Sequence, residues 1–290
     1  MNKKRTDTYL SVVIPTCDRP SLLVNAVHSV PSFVSEIVIV NDGTSSIVPE
    51  VQKDPRVKIV ESGPRRGPAA SRNAGVSSAS GKIILFLDDD DELCDGYIER
   101  VLSISRTKSN ISSGFSAVIE TVDGKPGRIR KKFRKSGVIL SSRPKKKIHA
   151  ASAGFWIRKD KFLELGGFDE NLRVDEDTDL CIRLFNLDDR VWYDAEPGVL
   201  FRVKSGIDQH QKKITDQATV TGISYKSYRY TLIKNYDAAG PLMRFFLINR
   251  TIRRGMKDIG RIDHEIFDKL SGSWWFFAHA VKLKYVLRRL

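Results

Sequence analysis

Four carboxylates stand in a row at Asp88, Asp89, Asp90 and Asp91, with Glu92 next, directly after the apolar run ILFL. Adjacent carboxylates repel one another, and a cation relieves the repulsion. Hard divalent ions such as Mn2+ and Mg2+ prefer oxygen ligands and commonly bridge one or two carboxylates to substrate phosphates. An ion held there could neutralise charge developing on a departing diphosphate. A solvated acidic loop is the plainer alternative. A second acidic group, Asp175, Glu176, Asp177 and Asp179, opens a stretch with Leu180, Leu184 and Leu187 at helical spacing. Acids at a helix N-terminus serve capping and the backbone dipole. Equally, one of them is a general base that takes a proton from a hydroxyl, and spacing alone does not choose which. Asp42 lies in IVIVNDGTS, where its carboxylate either accepts hydrogen bonds from a nucleobase edge or belongs to a simple turn. Arg65, Arg66 and Arg72 precede or enter a helix, where the dipole also favours anions. Arg72 either contacts a diphosphate or organises the site, or it is a surface charge.

The elements that must position these groups alternate. Residues 10–14, 36–40, 57–60 and 82–87 are short, nearly all-apolar runs, read as strands; residues 21–30 and 69–80 read as helices. This pattern predicts a parallel sheet covered on both faces, with ligands at the C-terminal strand ends. Polar clusters at 16–19, 41–44 and 88–91 fall at those ends. Residues 116–122, the turn Asp123-Gly124 and the basic run 128–135 read as a hairpin-like insertion, followed by a basic loop at 143–147. A strand from Phe155, a helix over 159–165, the turn Gly166-Gly167, a helix over 176–187 and a strand over 190–204 complete this part. Beyond about residue 210 the pattern is helical.

The chain of 290 residues is 41% hydrophobic, ample for a packed core, and carries a formal charge of +14. That charge implies an anionic partner: a phosphorylated substrate, an anionic membrane or nucleic acid. No stretch is long and uncharged enough to span a bilayer, and the basic start followed by Pro15 is not read as a signal peptide. Cys17, Cys94 and Cys181 are far apart, which disfavours a disulfide framework or a zinc site and fits a reducing cytosol.

Five segments carry a family resemblance: SVVIPTCDRP (11–20), IVIVNDGTS (37–45), GPAASRNAG (67–75), ILFLDDDDEL (84–93) and LGGFDENLRVDEDTDLCIRL (165–184). In order and spacing they resemble the inverting family 2 glycosyltransferases, the bacterial type that builds surface polysaccharides. The resemblance covers roughly residues 8–205. It implies an α/β fold of the GT-A class: a Rossmann-like, mostly parallel sheet flanked by helices. Here that fold would span residues 1–209, with a basic helical extension over 210–290. It also implies a nucleotide-sugar donor, with UDP the commonest nucleotide, and a glycan or lipid-linked acceptor. By the same resemblance Thr16, Asp42, Arg72, Asp88 and Asp89 would bind the donor. Asp88 and Asp90 would hold Mn2+ or Mg2+ as the DxD pair. Asp177 would be the catalytic base, with Glu176 orienting it or binding acceptor. Trp156 and the Gly166-Gly167 turn would shape the acceptor side, a place in the core being the alternative for Trp156. Two positions depart from the pattern. Asn41 stands where many members have a second acid, and Lys204 stands where many have a metal-side histidine; His210 is close by in sequence.

A nucleotidyltransferase that makes a nucleotide-sugar could share the sheet and the acids, but the segment 15–19 lacks the Gly-rich loop it needs. A basic nucleic-acid-binding protein would use residues 128–147 and the C-terminal arginines, leaving the acidic run unexplained; no nucleic acid is expected. Residues 240–290 read as a membrane-facing or acceptor-facing appendage, since Phe276, Ala280, Leu283, Leu287 and Leu290 share one helical stripe beside Trp274, Trp275 and basic residues. The alternative is that these helices pack on the catalytic domain or on a second subunit, making a homo-oligomer. The expected location is cytoplasmic, peripheral on the inner face of the cell membrane if the stripe meets lipid.

Overall fold

Alternation along the first strand divides the molecule into two cores. In β1 (Leu10–Thr16), Val12 and Ile14 enter one hydrophobic cluster and Val13 enters the other, all fully buried. Strands β2 (Ile37–Asn41), β3 (Val57–Glu61) and β4 (Ile83–Phe86) lie parallel to β1 in the order β3-β2-β1-β4. Helices α1 (Pro20–His28) and α2 (Pro49–Gln52) cover one face, and α3 (Pro68–Ser78) covers the other. The chain order reverses between β1 and β4, which opens a crevice at their C-terminal ends. The computed structural model describes residues 9–122, 125–130, 134–139, 154–187, 190–203 and 222–287.

Helix α3 begins on Pro68, whose missing N–H costs nothing at a first helical position. Two turns on, a Cβ at Gly75 would collide with the side chain of Val13. Glycine there lets α3 close onto β1 and fixes Arg72, three residues earlier, over the strand ends.

The sheet continues past β4 with strands of mixed direction, an outcome the parallel reading does not foresee. These are β5 (Glu92–Leu93), β6 (Ser113–Val122), β7 (Lys125–Arg130), β8 (Gly137–Ile139), β9 (Trp156–Arg158) and β10 (Val191–Arg202). The three-residue β9 is inserted antiparallel between β4 and β6, and β6 and β10 are again parallel. The C-terminal ends of β6 and β10 therefore share the edge where β1 and β4 end. The expected hairpin is present as β6 and β7. The basic residues 131–133 and 143–147 lie outside the described residues, as do Lys204 and His210.

Helix α4 (Tyr97–Thr107), which the sequence reading does not assign, joins α1 and α2 on their face through Tyr97, Ile98 and Val101. Helices α5 (Lys159–Glu164) and α6 (Glu176–Asn186) join α3 on the other. The C-terminal part folds as α7 (Ile223–Asn235), α8 (Pro241–Asp258), α9 (His264–Lys269) and α10 (Ser273–Leu287). Leu232, Leu247, Ile248, Ile252 and Ile266 belong to the same cluster as Leu180 and Phe185 of α6. Sequence spacing alone does not show this shared core. Ile248→Ala is accordingly expected to destabilise the chain by about 3 kcal/mol, the usual range for emptying a core site. Urea unfolding should show one cooperative transition at a lower midpoint. A separate early transition, with the remainder unaffected, would mean that the extension folds on its own.

Helix α10 reconciles the two readings of the tail. Ala278 is buried, and Trp274, Phe277, Val281 and Tyr285 pack against the core. Phe276, Ala280 and Leu283 share a face, as their spacing predicts, and that face is exposed, Phe276 by 70% and Leu283 by 57%. The Leu287 side chain and residues 288–290 lie outside the described set. Among the described residues no helix is long and apolar enough to cross a membrane.

Candidate active site

The strand ends bring the two acidic groups together through one buried arginine. Arg72, 4% exposed, donates from Nη2 to Asp88 Oδ1 at 2.6 Å and from Nη1 to Glu176 Oε1 at 2.6 Å. Its partners come from the loop after β4 and from the first turn of α6. Burial works against the guanidinium charge, but Asp88 and Glu176 outweigh it and raise the Arg72 pKa. The reading of Arg72 as a surface charge is therefore wrong: it ties the two acidic groups together.

Within the first acidic group the four aspartates divide their tasks. Carboxylate oxygens of Asp88, Asp90 and Asp91 lie within 4.8 Å of one another. Three hard oxygen donors gathered at one point fit a divalent ion of the Mg2+ or Mn2+ type. Asp91 joins Asp88 and Asp90 here, a ligand candidate the sequence reading did not single out; its Oδ1 also accepts the Arg202 N–H at the end of β10. Asp89 turns the other way, 1% exposed, accepting from Thr16 Oγ1 at 2.7 Å and pairing with Arg19 at 2.7 Å. Burial pushes the Asp89 carboxyl up to about 6 despite both partners. Arg19 also reaches Asp90 Oδ2 at 3.2 Å. Sequence reasoning passed over Arg19; its one signal was its place in the polar cluster after β1.

Asp42 is buried after β2, and its carboxylate serves the loop before α3. It accepts from the backbone N–H of Arg66 and of Gly67, each at 2.8 Å, and from Ser62 Oγ at 3.2 Å. Asn41 accepts the Gly43 N–H and donates to Glu61. Asp18, in a left-handed backbone conformation, accepts from the N–H groups of Thr44 and Ser45 at 2.8 Å and so joins the loops after β1 and β2. These bonds shape the wall of the crevice beside Thr16.

The second acidic group sorts itself by hydrogen bonding. Asp179 is fully buried and saturated, accepting from Arg183, Lys234 and Asn235, which makes it a clamp between α6 and α7. Asp175, also left-handed, accepts from Ser224 Oγ at 2.9 Å; burial and then the Asp177 charge push its carboxyl up to about 6. Glu176 is engaged by Arg72. Asp177 is half-buried, and its Oδ1 accepts from the neighbouring Thr178 N–H and hydroxyl. Burial pushes the carboxyls of Glu176 and Asp177 upward together. Among these acids Asp175 and Asp177 are the two that are partly exposed.

Trp156 takes its place in the core and not on the acceptor side. It is 1% exposed in β9 and belongs to the core, where its ring fills the space that a side chain at Gly114 would need. The Gly166-Gly167 turn has positive φ at both residues and is held against α3 by Asn73, which bonds both the N–H and the carbonyl of Phe168. Its role in the structure is to position the segment that leads into α6.

A family model described as glycosyl transferase family 2 matches residues 11–166. Over 190 residues the chain is 34% identical to the GalNAc(5)-diNAcBac-PP-undecaprenol beta-1,3-glucosyltransferase of Campylobacter jejuni, covering 61% of this chain and 59% of that protein. Over 324 aligned positions it is 22% identical to the minor teichoic acid biosynthesis protein GgaB of Bacillus subtilis, covering 98% of this chain and 36% of GgaB. The chain thus spans only part of the length of these curated relatives. Residues 1–349 of S. aureus TarS superpose with a TM-score of 0.70 at 14% identity, covering 96% of this chain and 88% of that one. The same TarS fragment in complex with UDP-GlcNAc gives 0.69. These matches show the expected GT-A fold.

Proposed function

This chain belongs to glycosyl transferase family 2, and from that premise we propose that it transfers a sugar from a UDP-sugar to a hydroxyl of a glycan or lipid-linked acceptor, with inversion. The observation that carries this reading is the Arg72 bridge, which ties an oxygen-rich acid group to the first turn of α6, where Asp177 is partly exposed. The relatives' names agree: one is a glucosyltransferase of an undecaprenol-linked saccharide, another serves teichoic acid biosynthesis.

Asp177 receives the proton of the acceptor hydroxyl as its oxygen bonds to the anomeric carbon. The bond from that carbon to the diphosphate oxygen breaks with its electron pair, through an oxocarbenium-like state. Glu176, held by Arg72, fixes the first turn of α6. Thr16, Asp42 and Asp89 form the donor side of the crevice, and Asp88 and Asp90, with Asp91, would hold Mn2+ or Mg2+. Such an ion, when bound, supplies positive charge for the departing diphosphate. The test is a screen of UDP-sugars for slow hydrolysis in the absence of acceptor, with and without EDTA. No hydrolysis of any donor, together with no binding of UDP, would refute the reading.

The protein works at a membrane surface in this proposal, peripheral on the cytoplasmic face. The exposed stripe Phe276, Ala280 and Leu283 lies beside Trp275, which is 40% exposed, with Lys284 exposed on the same helix. Amphipathic rings favour a headgroup boundary, and each basic residue adds roughly 1 kcal/mol near an anionic leaflet. Phe276→Glu with Leu283→Glu should abolish flotation with anionic liposomes at low salt and leave UDP binding intact. Self-association through the same stripe is the competing use. A double variant that floats like wild type but loses a dimer in sedimentation would establish that use instead.

A further inference from the structure

Charge in this chain is concentrated in one place. Residues 124–157 contain eleven Lys and Arg and no Asp or Glu, against a net charge of +14 for the whole chain. The site described above uses none of them. Of the eleven, Lys125, Arg128, Arg130, Arg134 and Lys135 are described, and all five are exposed. Arg130 pairs with Glu120 at 3.1 Å and lies over the Phe201 ring; the other four have no carboxylate partner among the described residues.

The hairpin places the described part of this charge, from Lys125 to Arg130, near the acid group. Arg202, whose N–H reaches Asp91, pairs with Thr121 of β6, and Thr121 pairs with Pro126 of β7. Two strand spacings, about 10 Å, therefore separate the start of β7 from the Arg202 backbone. From that end β7 runs away from the crevice for about 20 Å at the usual rise per residue. An exposed edge strand needs charge to deter pairing with other chains, but either sign and one or two residues would serve. Charges of a single sign, spaced along the whole strand and leading from the crevice, call for a ligand with repeated negative charge.

We propose that the β6–β7 hairpin is a docking surface for an acceptor glycan that carries repeated phosphodiester groups. This inference rests on the transferase reading and names the chemistry of its acceptor. The charges along β7 hold successive phosphates and feed the chain end towards Asp177. A lipid surface fits less well, because the described residues of this hairpin include no Trp or Tyr to sit at a headgroup boundary. Single-stranded nucleic acid would need exposed aromatic rings for base stacking, and the described hairpin residues offer none.

The test uses the full chain and a variant combining Lys125→Glu, Arg128→Glu, Arg134→Glu and Lys135→Glu, with long-chain inorganic polyphosphate as the probe. Wild type should bind polyphosphate at low salt and lose affinity about tenfold or more as salt rises from 50 to 200 mM. The variant should lose at least tenfold at low salt, and Gln at the same four positions should give an intermediate loss. UDP binding, which reports a folded donor site, should stay within twofold, as should binding to phosphatidylglycerol vesicles. A variant that binds both UDP and polyphosphate like wild type overturns the proposal. So does an equal loss of vesicle binding, which would make this the membrane face, or a wild type that prefers a single-stranded oligonucleotide to polyphosphate. Loss of polyphosphate binding in the variant, with neither UDP-sugar hydrolysis nor UDP binding by wild type, would fault the transferase reading and leave the anion surface standing.

Discussion

Asp177→Asn is expected to lower turnover by about 100-fold to 10,000-fold, the range typical of losing a general base. The substitution keeps shape and the local bonds to Thr178, so UDP affinity should change little, and a calorimetric UDP titration checks this. The pH profile supplies a second, independent reading. Burial pushes Glu176 up to about 7 and raises Asp177 with it. A base works only when ionised, so activity should rise with pH across an acid limb well above the ordinary carboxylate range. Arg72 lowers both carboxyls, so Arg72→Met should move the limb to higher pH. Residual turnover of Asp177→Asn should lack the limb altogether. If Asp177→Asn binds UDP and turns over normally, the base lies elsewhere. Glu176 and Asp175 are then the next candidates, and Asp179 is not, because it is saturated by Arg183, Lys234 and Asn235.

The difference between what was legible in the sequence and what was not follows the range of the interactions. The existence of β1 to β4 and the placing of Asp42 and Asp88 at strand ends depend on local apolar runs and the turns that end them, and these are written in short stretches of chain. The Arg72–Glu176 pair joins residues 104 positions apart, and the Thr16–Asp89 bond spans 73. No periodicity encodes such partners. Sequence leaves Arg72 open between ligand contact, organiser of the site and surface charge, because the close approach of Gly75 to Val13, which brings α3 down onto β1, is a tertiary contact. Helix α4 had a local signal in the spacing of Tyr97, Ile98 and Val101, but it follows the acidic run directly and was absorbed into that loop. The tail shows the limit most clearly. Its exposed stripe was correctly grouped by helical spacing, yet the face that packs on the core, Trp274, Phe277, Ala278 and Val281, is equally apolar. Only tertiary contact distinguishes two apolar faces of one helix.

Asp90→Ala should reduce transfer by roughly 100-fold or more, because the departing diphosphate loses its electrophilic partner. Asp90 is one of three acids whose oxygens converge, and the remaining pair is a weaker site. Mn2+ titration followed by electron paramagnetic resonance should show weakened binding in Asp90→Ala, a readout independent of turnover. Asp88→Ala should weaken donor binding as well, since it also removes one end of the Arg72 bridge. The outcome against metal dependence is definite: full activity in EDTA together with a near-wild-type Asp90→Ala. The diphosphate charge would then fall on protein cations. Lys204 is the sequence candidate for that part. Arg19 is the structural one, standing against Asp89 and Asp90 at 2.7 and 3.2 Å. Arg19→Ala separates the cases. In a metal-dependent enzyme it releases Asp89 and Asp90 from a competing cation and should leave Mn2+ affinity unchanged or tighter. In a metal-independent enzyme it should reproduce the loss expected of Asp90→Ala.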